Sequence, residues 1–275
     1  MVDKYSKQGG NLPILYSYSD FVSLPIGDIN NPQTLLQIGE AYQSIGMYAE
    51  AVKFYEKVKI LDSQKTYRDR VFLNLGEIHL ENKNYDEAML VGQKFLRIYP
   101  RSKWTPDAMK LLARALRGQG KFRDAIKTYE DLLERSTDKA EIHFLVAETY
   151  TDMNQLTDAV QSYQKAIVTY DRQERVIPGY LQNAYYHLGT SLFKLNRFGP
   201  ALEALKSAKE LFPDNPLRDW ADYLMIDGLE KLGDPLKVAE GLNRLVKAGN
   251  SDDLTRQAAE SRVKIREWEK QLKEG

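Results

Sequence analysis

Apolar residues recur along this chain at steps of three and four, and between residues 31 and 215 the pattern itself recurs. Small residues stand at Gly39, Gly76, Ala113, Ala147 and Gly189, separated by 37, 37, 34 and 42 positions. A second small series, Ala51, Ala88, Ala125, Ala159 and Ala201, lies twelve residues after each member of the first. Tyr48, Tyr85, Phe122, Leu156 and Phe198 precede these alanines by three; Tyr55, Tyr129, Tyr163 and Leu205 follow by four, with Gly92 the exception. Spacing at i, i+3, i+4 and i+7 marks amphipathic helices, and no stretch alternates with the period of two that strands require. The pattern therefore predicts paired helices in five successive units. Polar turns such as Ser44-Ile-Gly46, Asn82-Lys-Asn84, Gly118-Gln-Gly120 and Asp152-Met-Asn154 separate them, where Gly or Asn takes the left-handed conformation that ends a helix. Pro100 and Pro213 stop the second helix in two units, and Thr105-Pro106 offers an N-cap followed by proline at the first helical position.

Two helices approach closely only where both present small residues, and one pair cannot bury its apolar face alone, so stacked neighbours complete the core. These small, aromatic, alanine and proline positions resemble the tetratricopeptide repeat family. The resemblance implies an all-α, right-handed α-solenoid of helix-turn-helix repeats. Five units are expected over 31–215, at about 32–65, 69–102, 106–139, 140–173 and 182–215. A degenerate sixth at 216–250 has Ile226 and Val238 in the small positions and a Leu232-Gly-Asp-Pro235 turn, and its larger side chains are expected to pack the two helices less well. In 251–275, Leu254, Ala258, Ser261, Ile265, Trp268 and Leu272 share one stripe, which predicts a C-terminal capping helix, with a coiled-coil seam as the alternative. Residues 1–30 mix Gly9, Gly10, Pro13 and Pro25 with Leu12, Ile14, Tyr16 and Phe21. They read as an irregular segment or the remnant of a preceding repeat, the alternative being a built-in ligand of the groove. The 42-residue step before the fifth unit predicts lengthened helices around a Pro178-Gly179 turn.

Charge narrows the partners. Lys+Arg and Asp+Glu both number 39, which removes the electrostatic footprint of a nucleic-acid or anionic-membrane binder. The chain has no cysteine, so disulfides and thiolate chemistry are excluded. No stretch approaches the ~20 apolar residues that span a bilayer, and the first thirty residues have no signal-peptide pattern. The compartment is left open: cytoplasmic by default, periplasmic if the chain is a fragment excised from a longer one.

Catalytic chemistry is not legible. His79, His143 and His187 fall in different repeats without a partner at i+4, and Gly118-Gln-Gly120 lacks the strand that a phosphate-binding fingerprint needs. No nucleophile-and-base constellation stands out, so no enzyme, metal or cofactor is expected.

The resemblance instead implies a concave groove lined by the first helix of each unit. Its candidate residues are Arg70, Leu73 and Glu77 in the second unit, Lys110, Arg114 and Arg117 in the third, Phe144 and Glu148 in the fourth, and Asn183, Tyr186 and Phe193 in the fifth. Lys110, Arg114 and Arg117 share a helical face suited to a carboxylate-bearing peptide, unless they are spent on Glu77, Glu141 and Glu148. Family members that bind chaperone tails use a Lys-then-Asn pair in one helix; here Lys110 is followed by Arg114, and Leu36 and Leu73 by glutamates. The Phe95-Leu-Arg-Ile-Tyr-Pro-Arg-Ser-Lys-Trp104 run is similar to bacterial envelope-type members of the family. The expected function is a protein-interaction scaffold that holds a partner protein or peptide in the groove. The alternatives are a homo-oligomer built through the end repeats and a helical-repeat nucleic-acid binder, the latter disfavoured by neutral charge.

Overall fold

In a computed structural model, the structure describes residues 30–170, 177–233, 237–238, 240–242, 260 and 262–263. Residues 1–29 of the N-terminal segment expected over 1–30, the 171–176 part of the insertion and most of the predicted 251–275 helix lie outside them. The described residues form helices and turns. The chain divides into two compact units, Met1–Arg135 and Ser136–Gly275, a division that the repeat pattern crosses without marking. The first unit holds α1 (Pro32–Ser44), α2 (Tyr48–Leu61), α3 (Arg68–Glu81), α4 (Tyr85–Ile98), α5 (Thr105–Gly118) and α6 (Phe122–Leu133). The second holds α7 (Lys139–Asp152), α8 (Leu156–Thr169), α9 (Gly179–Lys194), α10 (Phe198–Leu211) and α11 (Arg218–Lys231). Within each unit every helix packs on its successor. The first helices also touch each other in order, α1 on α3 on α5 and α7 on α9 on α11.

The small positions are where side chains interlock. A Cβ on Gly39 would lie 2.5 Å from the Tyr55 ring, one on Gly189 2.5 Å from Leu205 Cγ, and one on Gly76 2.5 Å from Leu111 Cδ2. Ala51, Ala88, Ala125 and Ala159 have no exposed surface, and neither do Tyr55, Tyr129 and Tyr163. Gly92, where the pattern expects a tyrosine, brings another helix close instead: its Cβ would sit 3.2 Å from the α5 backbone at Leu112. Phe95, fully buried three residues on, supplies the missing bulk and meets the Tyr99 ring at 5.3 Å.

Several local expectations shift. The helix after Trp104 begins one residue early. Thr105 is inside it, its hydroxyl donating to the Ser102 carbonyl at 2.8 Å rather than capping the helix. Of the helices expected to lengthen around Pro178-Gly179, α9 has 16 residues, whereas α8 keeps the 14 of its counterparts α2 and α4. Ile226 and Val238 do pack: with Leu242 they form a buried cluster. The space they need is conceded by Gly241, whose Cβ would fall 2.7 Å from Ile226 Cγ1. On this last pair Val263 adds apolar cover, and Arg262 donates to Asp227 at 2.7 Å and also to Glu230.

Turns inside the pairs share one geometry. The second and third residues after the helix donate their N–H groups back to carbonyls of its last turn, as in Gly46 to Gln43 O at 3.0 Å and Met47 to Tyr42 O at 2.9 Å, which is a Schellman closure. It demands a positive φ at Gly46, Gly120, Asn154, Asn196 and Gly233. In the second repeat the residue that adopts it is Lys83, at φ 60, and neither flanking asparagine.

Two predictions follow the packing and the turns. Gly189→Ala should lower stability by about 1 to 3 kcal/mol through overpacking. Gly199→Ala, in open space within the same repeat, should be neutral or stabilising by up to about 1 kcal/mol. Urea midpoints compare the two, and equal midpoints would refute the interlocking role. Lys83→Gly should raise stability by about 1 kcal/mol by removing left-handed strain, read as a higher thermal midpoint.

Candidate functional site

In the first unit, α1, α3 and α5 carry a polar ladder. Glu40 of α1 accepts from Arg70 Nε at 2.7 Å and from Asn74 Nδ2 at 3.1 Å, both on α3. Asn74 is buried and also donates to the Tyr55 hydroxyl at 3.1 Å, which in turn donates to Gln43 at 2.6 Å. Tyr55, rooted in α2, thus passes between the helices and delivers its hydroxyl to their first-helix face. Burial, and then the Glu40 charge, push its phenol above the ordinary range. One step on, Arg114 of α5 donates Nη1 to Glu77 and Nη2 to Glu81, each at 3.1 Å. Burial raises the Glu77 carboxyl above its usual value, and the Arg114 charge opposes that rise. Lys110 and Arg117 sit half-buried on the same helix, each engaged in interactions of its own.

Leu73 was expected to line the groove and does not. It is 1% exposed, packed with Phe95 and Leu111 in the core, because its position on α3 points between the helices. Conversely, Trp104 and Lys103 were not singled out. The Arg70 guanidinium lies 4.2 Å from the centre of the Trp104 ring and the Lys103 ammonium 5.0 Å from it. With Gln37, Glu40, Asp69 and their neighbours they line a cavity of about 470 Å³. The available signal is a tryptophan in a polar turn, at the end of the run that resembles envelope-type members of the family.

In the second unit the corresponding face is aromatic. Phe144 of α7 has ring neighbours at Tyr163 (6.0 Å), Tyr180 (5.9 Å) and His187 (6.3 Å). Glu148 Oε1 accepts from the Tyr163 hydroxyl at 2.5 Å and stands 2.7 Å from His187 Nδ1. The Tyr180 hydroxyl donates to both oxygens of Asp138 at 2.9 Å, while an Asp138 oxygen also accepts the Glu141 N–H and caps α7. Asn183 accepts from Asn215 Nδ2 at 3.2 Å, tying α9 to the turn before α11. Phe193 is half-buried, 5.3 Å from Phe198, and contributes to two apolar clusters. Tyr186 needs correcting like Leu73: it is 1% exposed and donates its hydroxyl to the Phe212 carbonyl at 2.9 Å, so it belongs to the core.

The two faces contain one recurring knot that the sequence reading missed. Glu40, Asn74 and Tyr55 in the first unit correspond by register to Glu148, His187 and Tyr163 in the second: the residue after one small position, the residue two before the next, and the tyrosine four after the alanine. Where that tyrosine is replaced, by Gly92 or Leu205, the residue two before the next small position is the buried, apolar Leu111 or Leu224. The pairing holds at Tyr55 and Tyr163; in the third repeat Tyr129 is followed at that place by the apolar Leu145.

The raised Glu77 carboxyl gives a pH test. Its folded value exceeds the ordinary 4.5, so the native state holds the proton more tightly, and stability falls as pH rises from about 4.5 through the folded value. Glu77→Gln should flatten that decline, measured as urea midpoints at several pH values; an unchanged slope would contradict the burial cause.

Family models described as tetratricopeptide repeat match residues 32–64 and 183–215. A model described as anaphase-promoting complex, cyclosome, subunit 3 matches residues 81–166. The chain is 24% identical over 195 residues to Protein bimA of Emericella nidulans, an alignment covering 71% of this chain and 22% of that protein. The chain thus spans less than a quarter of this curated relative. Among solved structures, the C-terminal part of a TPR repeat-containing protein from Cytophaga hutchinsonii superposes with a TM-score of 0.61 at 12% identity, over 92% of this chain and 96% of that one. MamA from Desulfovibrio magneticus, from residue 41 to its end, gives a TM-score of 0.53 at 16% identity, over 67% of this chain and 97% of that one. At these identities the likeness is one of fold.

Proposed function

Because the chain is a tetratricopeptide repeat protein, a fold that serves protein interaction, we propose that it is a non-enzymatic scaffold that holds a partner protein or peptide against its first-helix faces. The observation that supports this reading most is the state of the side chains there. Arg70, Glu77, Arg114, Glu148 and His187 are partly exposed yet held by cross-repeat bonds of 2.7 to 3.1 Å. A partner therefore meets groups whose rotamers are already chosen, which lowers the ordering cost of binding. Phe144, Asn183 and Phe193 add half-buried aromatic and amide surface of the kind that anchors interfaces. The second helices instead turn exposed lysines and glutamates such as Lys53, Glu130 and Lys206 outward, as solvated surface does.

Site-specific photo-crosslinking tests the assignment without disturbing the core. A photoreactive residue at Arg117 or Thr190, on first helices, should capture the partner in the native source, and one at Lys53 or Lys206, on second helices, should not. Capture from the second-helix positions alone would sink the proposal.

A further inference from the structure

We propose that the cavity between α1 and α3, floored by Arg70, Lys103 and Trp104, binds an acidic side chain of a partner peptide segment. The proposal rests on the scaffold reading and names the chemistry of one subsite within it.

Arg70 and Arg114 differ in what they have left over. Arg114 spends both terminal nitrogens, one on Glu77 and one on Glu81. Arg70 spends only Nε, on Glu40 at 2.7 Å, and its two Nη groups donate to no described residue. Its plane is fixed all the same, tethered at Nε and stacked 4.2 Å from the Trp104 ring centre. A guanidinium held by its inner nitrogen and its face, with its outer edge open, is pre-organised for a carboxylate. Lys103 adds a second cation beside the same ring, with no carboxylate partner among the described residues.

Both carboxylates lining the cavity already hold donors. Asp69 takes the Arg70 backbone N–H at 2.8 Å on one oxygen and the Ser102 hydroxyl at 2.6 Å on the other. Glu40 Oε1 takes two donors. A neutral acceptor has none: the Gln37 side-chain oxygen is buried without a hydrogen-bond donor. The cavity thus offers spare N–H groups to an anion and one spare carbonyl to a donor. An inorganic anion answers only the first need, whereas an aspartate or glutamate within a peptide answers both, through its carboxylate and a backbone N–H. The volume of about 470 Å³ is several times that of an acidic side chain, leaving room for the flanking backbone of a segment that runs through.

The test uses the full chain and N-acetyl-glutamate N-methylamide, titrated while the indole N–H resonance of Trp104 is followed by NMR and identified by its loss in Trp104→Phe. The expected result is a saturable shift, about ten-fold or more weaker for the isosteric N-acetyl-glutamine N-methylamide, as loss of a charge-assisted hydrogen bond implies. Lys103→Gln should weaken binding without touching the Glu40–Arg70 pair, and Arg70→Gln should abolish it. Equal titration by the glutamine compound, indifference to both substitutions, or no shift at all would overturn the proposal. So would inorganic phosphate acting equally well, or tighter binding of N-acetylalanine, whose carboxylate is terminal. A null titration would leave the crosslinks from Arg117 and Thr190 unaffected, so failure of the subsite is separable from failure of the scaffold reading.

Discussion

A phenol hydroxyl buried between packed helices must find hydrogen-bond partners or cost roughly 1 to 3 kcal/mol. That constraint organises much of this molecule. Tyr55 and Tyr163 fill the space left by the small residues of their own helix pair, and their rings supply core volume. Their hydroxyls emerge on the first-helix face, where Tyr55 donates to Gln43 and accepts from Asn74 of the next repeat, and Tyr163 donates to Glu148. Packing and surface chemistry are therefore coupled through one side chain: the ring requires glycine or alanine beneath it, and the hydroxyl requires polarity above it.

This coupling explains why the helices and their turns were legible in the sequence while the depth of individual residues was not. Periodicity gives the angle around a helix, and so correctly groups Arg70, Glu77 and Arg114 on accessible surface. It does not say how closely the next repeat approaches. Leu73 and Tyr186 share the angle of half-exposed Lys110 and Phe144, yet neighbouring helices close over them. Likewise the spacing of Lys110, Arg114 and Arg117 identified a basic stripe but not that Glu77 and Glu81 already occupy Arg114. Trp104 escaped notice because its role depends on Arg70, more than thirty residues earlier and in a different repeat.

The two units present different chemistry from the same scaffold. The first pairs opposite charges from repeat to repeat, Glu40 with Arg70 and Glu77 with Arg114, and keeps open guanidinium nitrogens at the Arg70 cavity. The second gathers aromatic rings around Phe144 and fastens them with carboxylates at Asp138 and Glu148. Salt screens exposed ion pairs far more than buried aromatic contacts. Added salt would thus weaken contacts to the first face more than contacts to the second.

The tyrosine knot also bears on how such an array can change over generations. Each repeat carries half of a match: a hydroxyl or an apolar group on one side, and a polar or apolar receiver on the other. The repeat that carries Asn74 and Gly92 already follows Tyr55; setting the Leu111 repeat there instead would take away the Asn74 donor and leave the Tyr55 hydroxyl with Gln43. The order of the repeats thus decides which hydroxyls gain a partner from the next copy, as Tyr55 does, while Tyr129 ahead of Leu145 shows that an apolar neighbour is also accommodated.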